Sequence, residues 1–126
     1  MRILLLVFLG AGLGGVARHF VNLAVARAVG FKFPFATMIV NVSGSIVMGL
    51  ATAYFALRAG QGWPHEAQLF VLTGVLGGYT TFSTFSLEAV TLIERRDYGG
   101  VALYVGGSVG LAIIGLLSAL YLVQAP

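Results

Sequence analysis

The sequence predicts an all-α membrane protein, with four transmembrane helices forming a single domain over residues 1–126. Hydrophobic residues make up 59% of the chain and charged residues only 9%, which is far from the composition of soluble globular proteins. The few charges separate four apolar stretches, each close to or above the roughly 20 residues that a helix needs to cross a bilayer. We therefore expect helices at about residues 3–29, 33–57, 66–94 and 99–123.

The composition also excludes several functional classes. There is no cysteine, so the chain can form neither disulfides nor thiolate metal sites. The net charge of +3 comes from scattered Lys and Arg residues near the predicted helix ends, which is the pattern of interface anchors and not of a nucleic-acid-binding cluster. No combination of nucleophile, base and orienting group indicates an enzyme.

The first predicted helix begins with a basic residue and a short apolar run, as a signal peptide does. The apolar pattern resumes after Arg18 and His19, which favours one long uncleaved helix. Gly10, Gly12 and Gly14 provide a surface for close helix packing. A guanidinium inside an apolar span is costly, so we expect Arg18 either to face a partner, a backbone carbonyl or water, or to extend to the lipid headgroups.

Polar side chains recur on one face of the second predicted helix. A polar stripe on an otherwise apolar membrane helix is expected to face inward. Its most informative residue is Asn41, because a buried side-chain amide has two N–H donors and needs hydrogen-bond partners. That amide either belongs to a functional site or joins two helices by a hydrogen bond worth about 1 kcal/mol. The stripe consists of Thr37, Asn41, Ser45, Met48 and Thr52, and the amide is that of Asn41.

The third predicted helix contains an unusual polar stretch, residues 77–85, with two glycines, four Ser or Thr residues and three aromatic rings. Adjacent glycines followed by two threonines weaken a helix, so we predict a break at Gly77–Thr80. Irregular backbone at membrane depth must be covered by protein or line a polar cavity. The carbonyl groups released at such a break are oxygen ligands suited to a hard cation.

Two rings and a carboxylate accompany this break. Phe82 and Phe85 share a helix face, and the positive edge of each ring can meet an anion, although such a pair more commonly packs in a core. Glu88 lies about one turn after Phe85. It either couples transport to protons or lines a vestibule at the membrane interface.

The fourth predicted helix presents Tyr104 and Ser108 on one face, and Gly106 and Gly110 form a further pair of small residues. If the polar faces of helices two, three and four converge, they line a path with neutral hydrogen-bond donors. Because no row of carboxylates would attract cations, a small anion is the more natural solute. The path would comprise Asn41, Ser83, Thr84, Tyr104 and Ser108.

The distribution of basic residues predicts insertion in both orientations. With four helices, two basic side chains fall on the side of the termini and four on the other side, which is a small bias. Two copies of opposite orientation would form an antiparallel homodimer with a two-fold axis in the membrane plane. The two groups are Arg2 and Arg58 on one side, and Arg27, Lys32, Arg95 and Arg96 on the other.

Three motifs, one in each of the first three predicted helices, resemble those of a known family over essentially the whole chain. They are Gly10-x-Gly12-x-Gly14-Gly15-x-x-Arg18, Pro34-x-x-Thr37-x-x-x-Asn41-x-x-Gly44-Ser45-x-x-x-Gly49 and Gly74-x-x-Gly77-Gly78-x-Thr80-Thr81-Phe82-Ser83-Thr84-Phe85. The third motif is highly specific. The chain resembles the fluoride channels, the Fluc or CrcB proteins.

The resemblance implies a dual-topology homodimer in the inner (plasma) membrane with two antiparallel pores. These pores would pass fluoride passively out of the cell and reject chloride. The implied role is to relieve fluoride toxicity. The third helix would be broken, and main-chain carbonyls of both subunits would hold a central Na⁺. By residue, the resemblance places Asn41, Phe82, Ser83, Thr84 and Phe85 in the pore, Arg18 at the vestibule, and the carbonyls of Gly77 and Thr80 on the Na⁺.

The match is looser in the fourth helix, where Tyr104 and Ser108 fit a hydroxyl track but Ala112, one turn on, has no hydroxyl. Two alternative functions remain open from the sequence. One is a proton-coupled exporter of small solutes that uses Glu88. The other is a membrane assembly subunit without transport activity, in which Asn41 and the two phenylalanines only pack.

Overall fold

The computed structural model describes residues 1–57 and 65–124, and all regular structure in these ranges is helical. The all-α prediction is therefore confirmed. Arg58, which the charge comparison used, lies outside the described residues. The helices are α1 (Arg2–Val29), α2 (Phe35–Leu57), α3 (65–79), α4 (Phe82–Glu94) and α5 (Tyr98–Gln124), and α3 contains the π-helical segment Leu69–Leu76.

Three of these helices, α1, α2 and α5, are long and apolar enough to cross a membrane. Between α3 and α4 the chain is extended for two residues: Thr80 has φ −79° and ψ 160°, and Thr81 has φ −152° and ψ 118°. Helix α4, with 13 residues, is shorter than the roughly 20 that a crossing needs.

The extended residues overlap the predicted break at Gly77–Thr80 only at Thr80. Gly77 is helical, with φ −63° and ψ −38°, and α3 continues to Tyr79. Gly78 serves close packing instead, because a methyl group there would come within 2.7 Å of the Ala11 Cα. Helix α4 restarts where Thr81 caps it, so capping determines the position of the extended link.

The helices pack as two parallel pairs, as expected when alternate spans of a bundle run in the same direction. In the first pair, α1 contacts α3: a methyl group at Gly10 would lie 2.7 Å from the Phe70 carbonyl oxygen, and one at Gly14 would lie 2.7 Å from the Tyr79 amide nitrogen. In the second pair, α2 contacts α5, and Gly49 lies against Ala119. Small residues thus allow the backbones to approach closely.

The buried core is small and lies where α4 meets α5. It is centred on Phe85, Leu92 and Tyr104, and Phe33 packs on it with its ring centroid 5.8 Å from that of Tyr104. Most large apolar side chains on the outer faces are exposed in the protomer, including Phe8 and Leu122. A bilayer, and not water, is the natural environment of such a surface.

A three-residue turn joins α4 to α5. The amide of Arg96 donates to the Ile93 carbonyl and the amide of Asp97 donates to the Leu92 carbonyl, which is the hydrogen-bond pattern of a Schellman motif. Arg96 takes the left-handed conformation that this motif requires, with φ 58°. The Asp97 carboxylate then accepts a 2.8 Å hydrogen bond from the Gly100 amide and caps α5.

Candidate functional site

The extended link between α3 and α4 is held by Asn41 of α2. The Asn41 Nδ2 donates to the Thr81 carbonyl over 3.0 Å, and its Oδ1 accepts from the Thr81 amide over 2.8 Å. The side chain of Asn41 therefore satisfies both the amide and the carbonyl of Thr81. Unpaired backbone groups at membrane depth cost several kcal/mol each, so this contact makes the extended link tolerable.

The hydroxyl groups at the start of α4 bind one another. Thr81 Oγ1 accepts from the Thr84 amide over 3.3 Å and lies 3.1 Å from Thr84 Oγ1. Ser83 Oγ lies 3.4 Å from the same Thr81 oxygen and is exposed in the protomer. The structure therefore brings together Ser83 and Thr84, and it adds Thr81, which the sequence had assigned only to the polar stretch.

Arg18 contacts the same link from α1. Its Nη1 donates to the Thr80 carbonyl over 3.3 Å. The sequence left open whether Arg18 faces a partner, a backbone carbonyl, water or the lipid headgroups. In the structure its partner is a backbone carbonyl, and its side chain is partly buried. A charged donor on this carbonyl places positive charge beside the extended residues.

The carbonyl groups of Gly77 and Thr80 can be examined as ligands for the Na⁺ that the family resemblance implies. The Thr81 amide, which would close an α-helical bond to the Gly77 carbonyl, donates to Asn41 instead, and Gly77 is exposed. The Thr80 carbonyl already accepts from Arg18, which leaves it one further lone pair. Carbonyl oxygens suit a hard cation, but Arg18 places a positive charge on one of them, and a single chain supplies too few of them for a complete coordination shell.

The two phenylalanines of α4 differ in their surroundings. The Phe82 side chain is 78% exposed in the protomer, whereas Phe85 is only 8% exposed. Their ring centroids are 5.5 Å apart, and the Phe85 ring also lies 5.2 Å from that of Tyr104. Phe85 is therefore a member of the protomer core, and Phe82 projects from it.

Glu88 joins α4 to two neighbouring helices. One carboxylate oxygen accepts from Thr37 Oγ1 over 3.0 Å and the other accepts from the Tyr104 hydroxyl over 2.6 Å. Thr37 and Tyr104 are both buried. Sequence reasoning did not include Thr37 among the candidate site residues, although its place at the start of the polar stripe, one turn before Asn41, was a usable signal.

Ser108 lies one turn beyond Tyr104 on α5. Its side chain is 4% exposed, and its Oγ has no hydrogen-bond partner among the described residues. Serine in a helix commonly bonds to the carbonyl four residues earlier, as Ser45 does with the Asn41 carbonyl over 2.8 Å. The Ser108 hydroxyl is therefore a buried polar group that no described residue satisfies.

Two cavities flank the link. The first, of about 270 Å³, lies between the end of α1, the start of α2 and α4, and its wall includes Thr37, Thr84 and Glu88. The second, of about 280 Å³, is lined by Asn41 and Thr80 together with Gly44, Ser45, Met48 and Leu116. Of the residues that the sequence grouped into one path, Thr84 lines the first cavity and Asn41 lines the second, while Ser83, Tyr104 and Ser108 line neither.

Tyr104 and Ser108 are buried and line neither cavity. Tyr104 connects to the first cavity through Glu88, while Ser108 is enclosed in the helix contact. Hydroxyl, amide and backbone groups provide most of the polar lining at membrane depth, with Glu88 the carboxylate among them. In the described part of the chain no group of three or more His, Cys, Asp or Glu side chains could hold a metal ion.

Comparison with known proteins identifies the family. Residues 5–120 match the family model described as "CrcB-like protein, Camphor Resistance (CrcB)". The chain is 54% identical over 121 residues to the protein named "Fluoride-specific ion channel FluC" of Rhodopseudomonas palustris (strain BisB5), with 96% of each chain covered. It is 57% identical over 122 residues to "Fluoride-specific ion channel FluC 2" of Nitrobacter hamburgensis, with 95% of each chain covered.

A third relative, "Fluoride-specific ion channel FluC" of Methylobacterium nodulans, is 54% identical over 120 residues and is matched over 94% of its length. The similarity to all three spans nearly the whole chain, including both cavities and the extended link. Together with its long apolar helices, these matches identify the chain as a multi-pass membrane protein that belongs to the CrcB-like family.

Proposed function

We propose that this protein is a fluoride-selective ion channel that passes F⁻ passively out of the cell and so relieves fluoride toxicity. Its relatives are named fluoride-specific channels, and its membrane-depth polar groups are mainly neutral donors. The observation in the structure that carries the proposal is the buried hydroxyl of Ser108, which lacks a partner among the described residues. An unsatisfied buried hydroxyl costs about 1–3 kcal/mol, so a bound anion or water is its natural complement.

The chemistry of the proposed pathway follows from the size of fluoride. Fluoride is small and strongly hydrated, so it can leave water only where several donors replace its hydration shell. Ser108, Ser83 and Thr84 supply hydroxyl donors, and the rings of Phe82 and Phe85 can supply positively polarised edges. Asn41 also carries a second amide proton besides the one that the Thr81 carbonyl accepts, and its side chain lines the second cavity.

Selectivity over chloride requires a narrow and stiff path. The clamp between Asn41 and Thr81 and the bonds from Thr37 and Tyr104 to Glu88 fix the groups around it. A larger anion would then have to displace a hydrogen-bonded group to pass. The inside-negative membrane potential favours anion efflux by about 2.3 kcal/mol per charge for each 100 mV.

The proposed assembly is an antiparallel homodimer with two pores in the inner membrane. In it, α3 and α4 together cross the bilayer as one interrupted span. The large exposed ring of Phe82 supports an assembly in which a second copy covers it. A methyl group at Gly12, Gly15, Gly106 or Gly110 would meet open space among the described residues, so these small positions remain available to a partner.

Within such a dimer, the carbonyl groups of Gly77 and Thr80 from both copies would hold Na⁺. When bound, the cation would be stabilised by the negative oxygen ends of these carbonyl groups. The protein's own contribution is to present these carbonyls, because the Thr81 amide is held by Asn41 and no longer closes the helix. Gly77→Val, which adds bulk at an exposed carbonyl-bearing position, is expected to impair dimer assembly.

The decisive experiment is efflux from proteoliposomes loaded with fluoride or chloride and followed with ion-selective electrodes. We expect fluoride efflux far faster than chloride efflux, without a proton gradient. Fluoride flux no faster than chloride flux would refute the proposed function. Dual topology is tested separately with a C-terminal tag in intact cells, where labelling from only one side would exclude the antiparallel arrangement.

A further inference from the structure

The first cavity, between α1, α2 and α4, carries two cationic side chains that no part of the proposed pathway has used. Lys32 and Arg95 both line it, and both are exposed, so they lie at its solvent-facing rim. Thr37, Thr84 and Glu88 form part of the same wall. The two charged residues are 63 positions apart in the chain and come together only through the fold.

Local backbone structure places each cation at the rim. Lys32 follows Gly30, which ends α1 with a φ of 78° and turns the chain towards α2. Arg95 is the capping residue at the end of α4, immediately before the left-handed Arg96. Both cations are therefore on short connections whose geometry is set by hydrogen bonds and by a glycine, and not on long mobile loops.

No acidic side chain among the described residues forms an ion pair with Lys32 or Arg95. In residues 1–57 and 65–124 the one ion pair joins Arg2 and Glu66. Glu88, the carboxylate on the cavity wall, has both oxygens occupied by the hydroxyls of Thr37 and Tyr104. Two cations against one hydrogen-bonded carboxylate leave the cavity with a positive balance, which attracts anions and repels cations.

We propose that Lys32 and Arg95 form a cationic rim that concentrates small anions at the entrance of the first cavity, from which they reach Thr37 and Thr84. This inference rests on the proposed function and adds an entrance to it. A rim of this kind acts over distance, so its effect depends on ionic strength: screening extends over about 30 Å in 0.01 M salt but only about 3 Å in 1 M salt. It raises the local anion concentration and does not by itself select fluoride.

The test compares the double variant Lys32→Gln/Arg95→Gln with the control double variant Arg27→Gln/Arg96→Gln. The control removes the same charge from exposed residues near the same ends of α1 and α4, but neither residue lines the first cavity. Fluoride efflux is measured in proteoliposomes at about 0.01 M and about 1 M ionic strength, where screening differs most. Gel filtration of each variant verifies that it is folded and assembled as the wild type is.

We expect the rim variant to lose about tenfold in initial fluoride efflux at low ionic strength, within the range known for electrostatic focusing, and to differ less than twofold from wild type at high ionic strength. The control should lose less than the rim variant at low ionic strength, because its charges do not line the cavity, and it should change less than twofold at high ionic strength. An equal loss in the two double variants, a loss independent of salt, or no loss at low salt would overturn the proposal. The single variant Lys32→Gln should show an intermediate loss of fluoride efflux at low ionic strength. It replaces the double variant in the test if the double variant misfolds.

These results are distinguishable from a failure of the proposed function. If wild-type protein carries fluoride no faster than chloride, the function itself is wrong. If wild-type flux is fluoride-selective and the rim variant retains wild-type efflux in low salt, only the rim proposal is wrong.

Discussion

The carboxamide of Asn41 forms two hydrogen bonds with the backbone of Thr81. Its Nδ2 donates to the carbonyl over 3.0 Å, and its Oδ1 accepts from the amide over 2.8 Å. The contact joins α2 to the only extended residues between α3 and α4. It gives Asn41 a positioning role in addition to the proposed role as an anion donor.

Removal of this contact should destabilise the protein and stop transport. In Asn41→Ala the amide and carbonyl of Thr81 both lose their partner, and each unsatisfied group costs about 1–3 kcal/mol. We expect a lower melting temperature in detergent and loss of fluoride efflux. Ser45→Ala is the control, because it removes a hydroxyl one turn along α2 that bonds only its own helix. Equal melting temperatures of Asn41→Ala and Ser45→Ala would contradict the positioning role.

The two phenylalanines of α4 should separate transport from stability. Phe82→Ile changes a ring that is 78% exposed in the protomer, so we expect a loss of fluoride efflux with a smaller fall in melting temperature than in Phe85→Ile. Phe85→Ile changes a ring that is 8% exposed and packs on Tyr104, so it should also destabilise the fold, by about 1–3 kcal/mol for a poor shape match. Wild-type efflux by Phe82→Ile, with the dimer intact on gel filtration, would remove Phe82 from the pathway.

Glycines of α1 should differ sharply in their tolerance to alanine. A methyl group at Gly14 would collide with the Val75 carbonyl oxygen and lie 2.7 Å from the Tyr79 amide nitrogen, whereas one at Gly12 would meet nothing within 4 Å in the protomer. We expect Gly14→Ala to lower the melting temperature strongly, because the α1–α3 contact must open. Gly12→Ala should lower it much less, because a methyl group there makes no contact within the protomer. Circular dichroism melting tests both, and similar melting temperatures would refute the close contact of α1 with α3.

Glu88 should be needed for structure but not for coupling to protons. Glu88→Ala leaves the buried hydroxyls of Thr37 and Tyr104 without their acceptor, at about 1–3 kcal/mol each. Glu88→Gln retains an acceptor oxygen and should be destabilised less. Fluoride efflux by the wild type and by Glu88→Gln should persist when an ionophore collapses the proton gradient. Efflux that stops under this treatment in the wild type would favour the proton-coupled exporter.

Several elements could be read from residue patterns alone because lipid imposes strong constraints. A helix satisfies its own backbone, so apolar stretches of sufficient length predicted α1, α2 and α5 to within about two residues. The polar stretch around residues 77–85 could be recognised for the same reason, since hydroxyls and glycines are conspicuous among apolar neighbours.

The position of the extended link could not be read in the same way. Propensity predicted a break at Gly77–Thr80, of which only Thr80 is extended. Gly78 packs against Ala11, and Thr81 provides the cap from which α4 restarts. Capping and helix contacts thus decided between adjacent candidate positions. The hydrogen-bond partner of Arg18 could not be predicted either, because a long guanidinium side chain can reach several residues. Its bond to the Thr80 carbonyl depends on how α1 packs against α3.

By itself, the sequence determined the helical membrane class, the polar face of α2 and the motifs that relate the chain to its family, because these depend on composition and local spacing. Only the tertiary structure decided that Asn41 binds Thr81, that Glu88 joins Thr37 to Tyr104, and that Lys32 and Arg95 share one cavity. Those pairings link residues from different helices. Their geometry depends on how closely glycines let the helices approach, which no local pattern specifies.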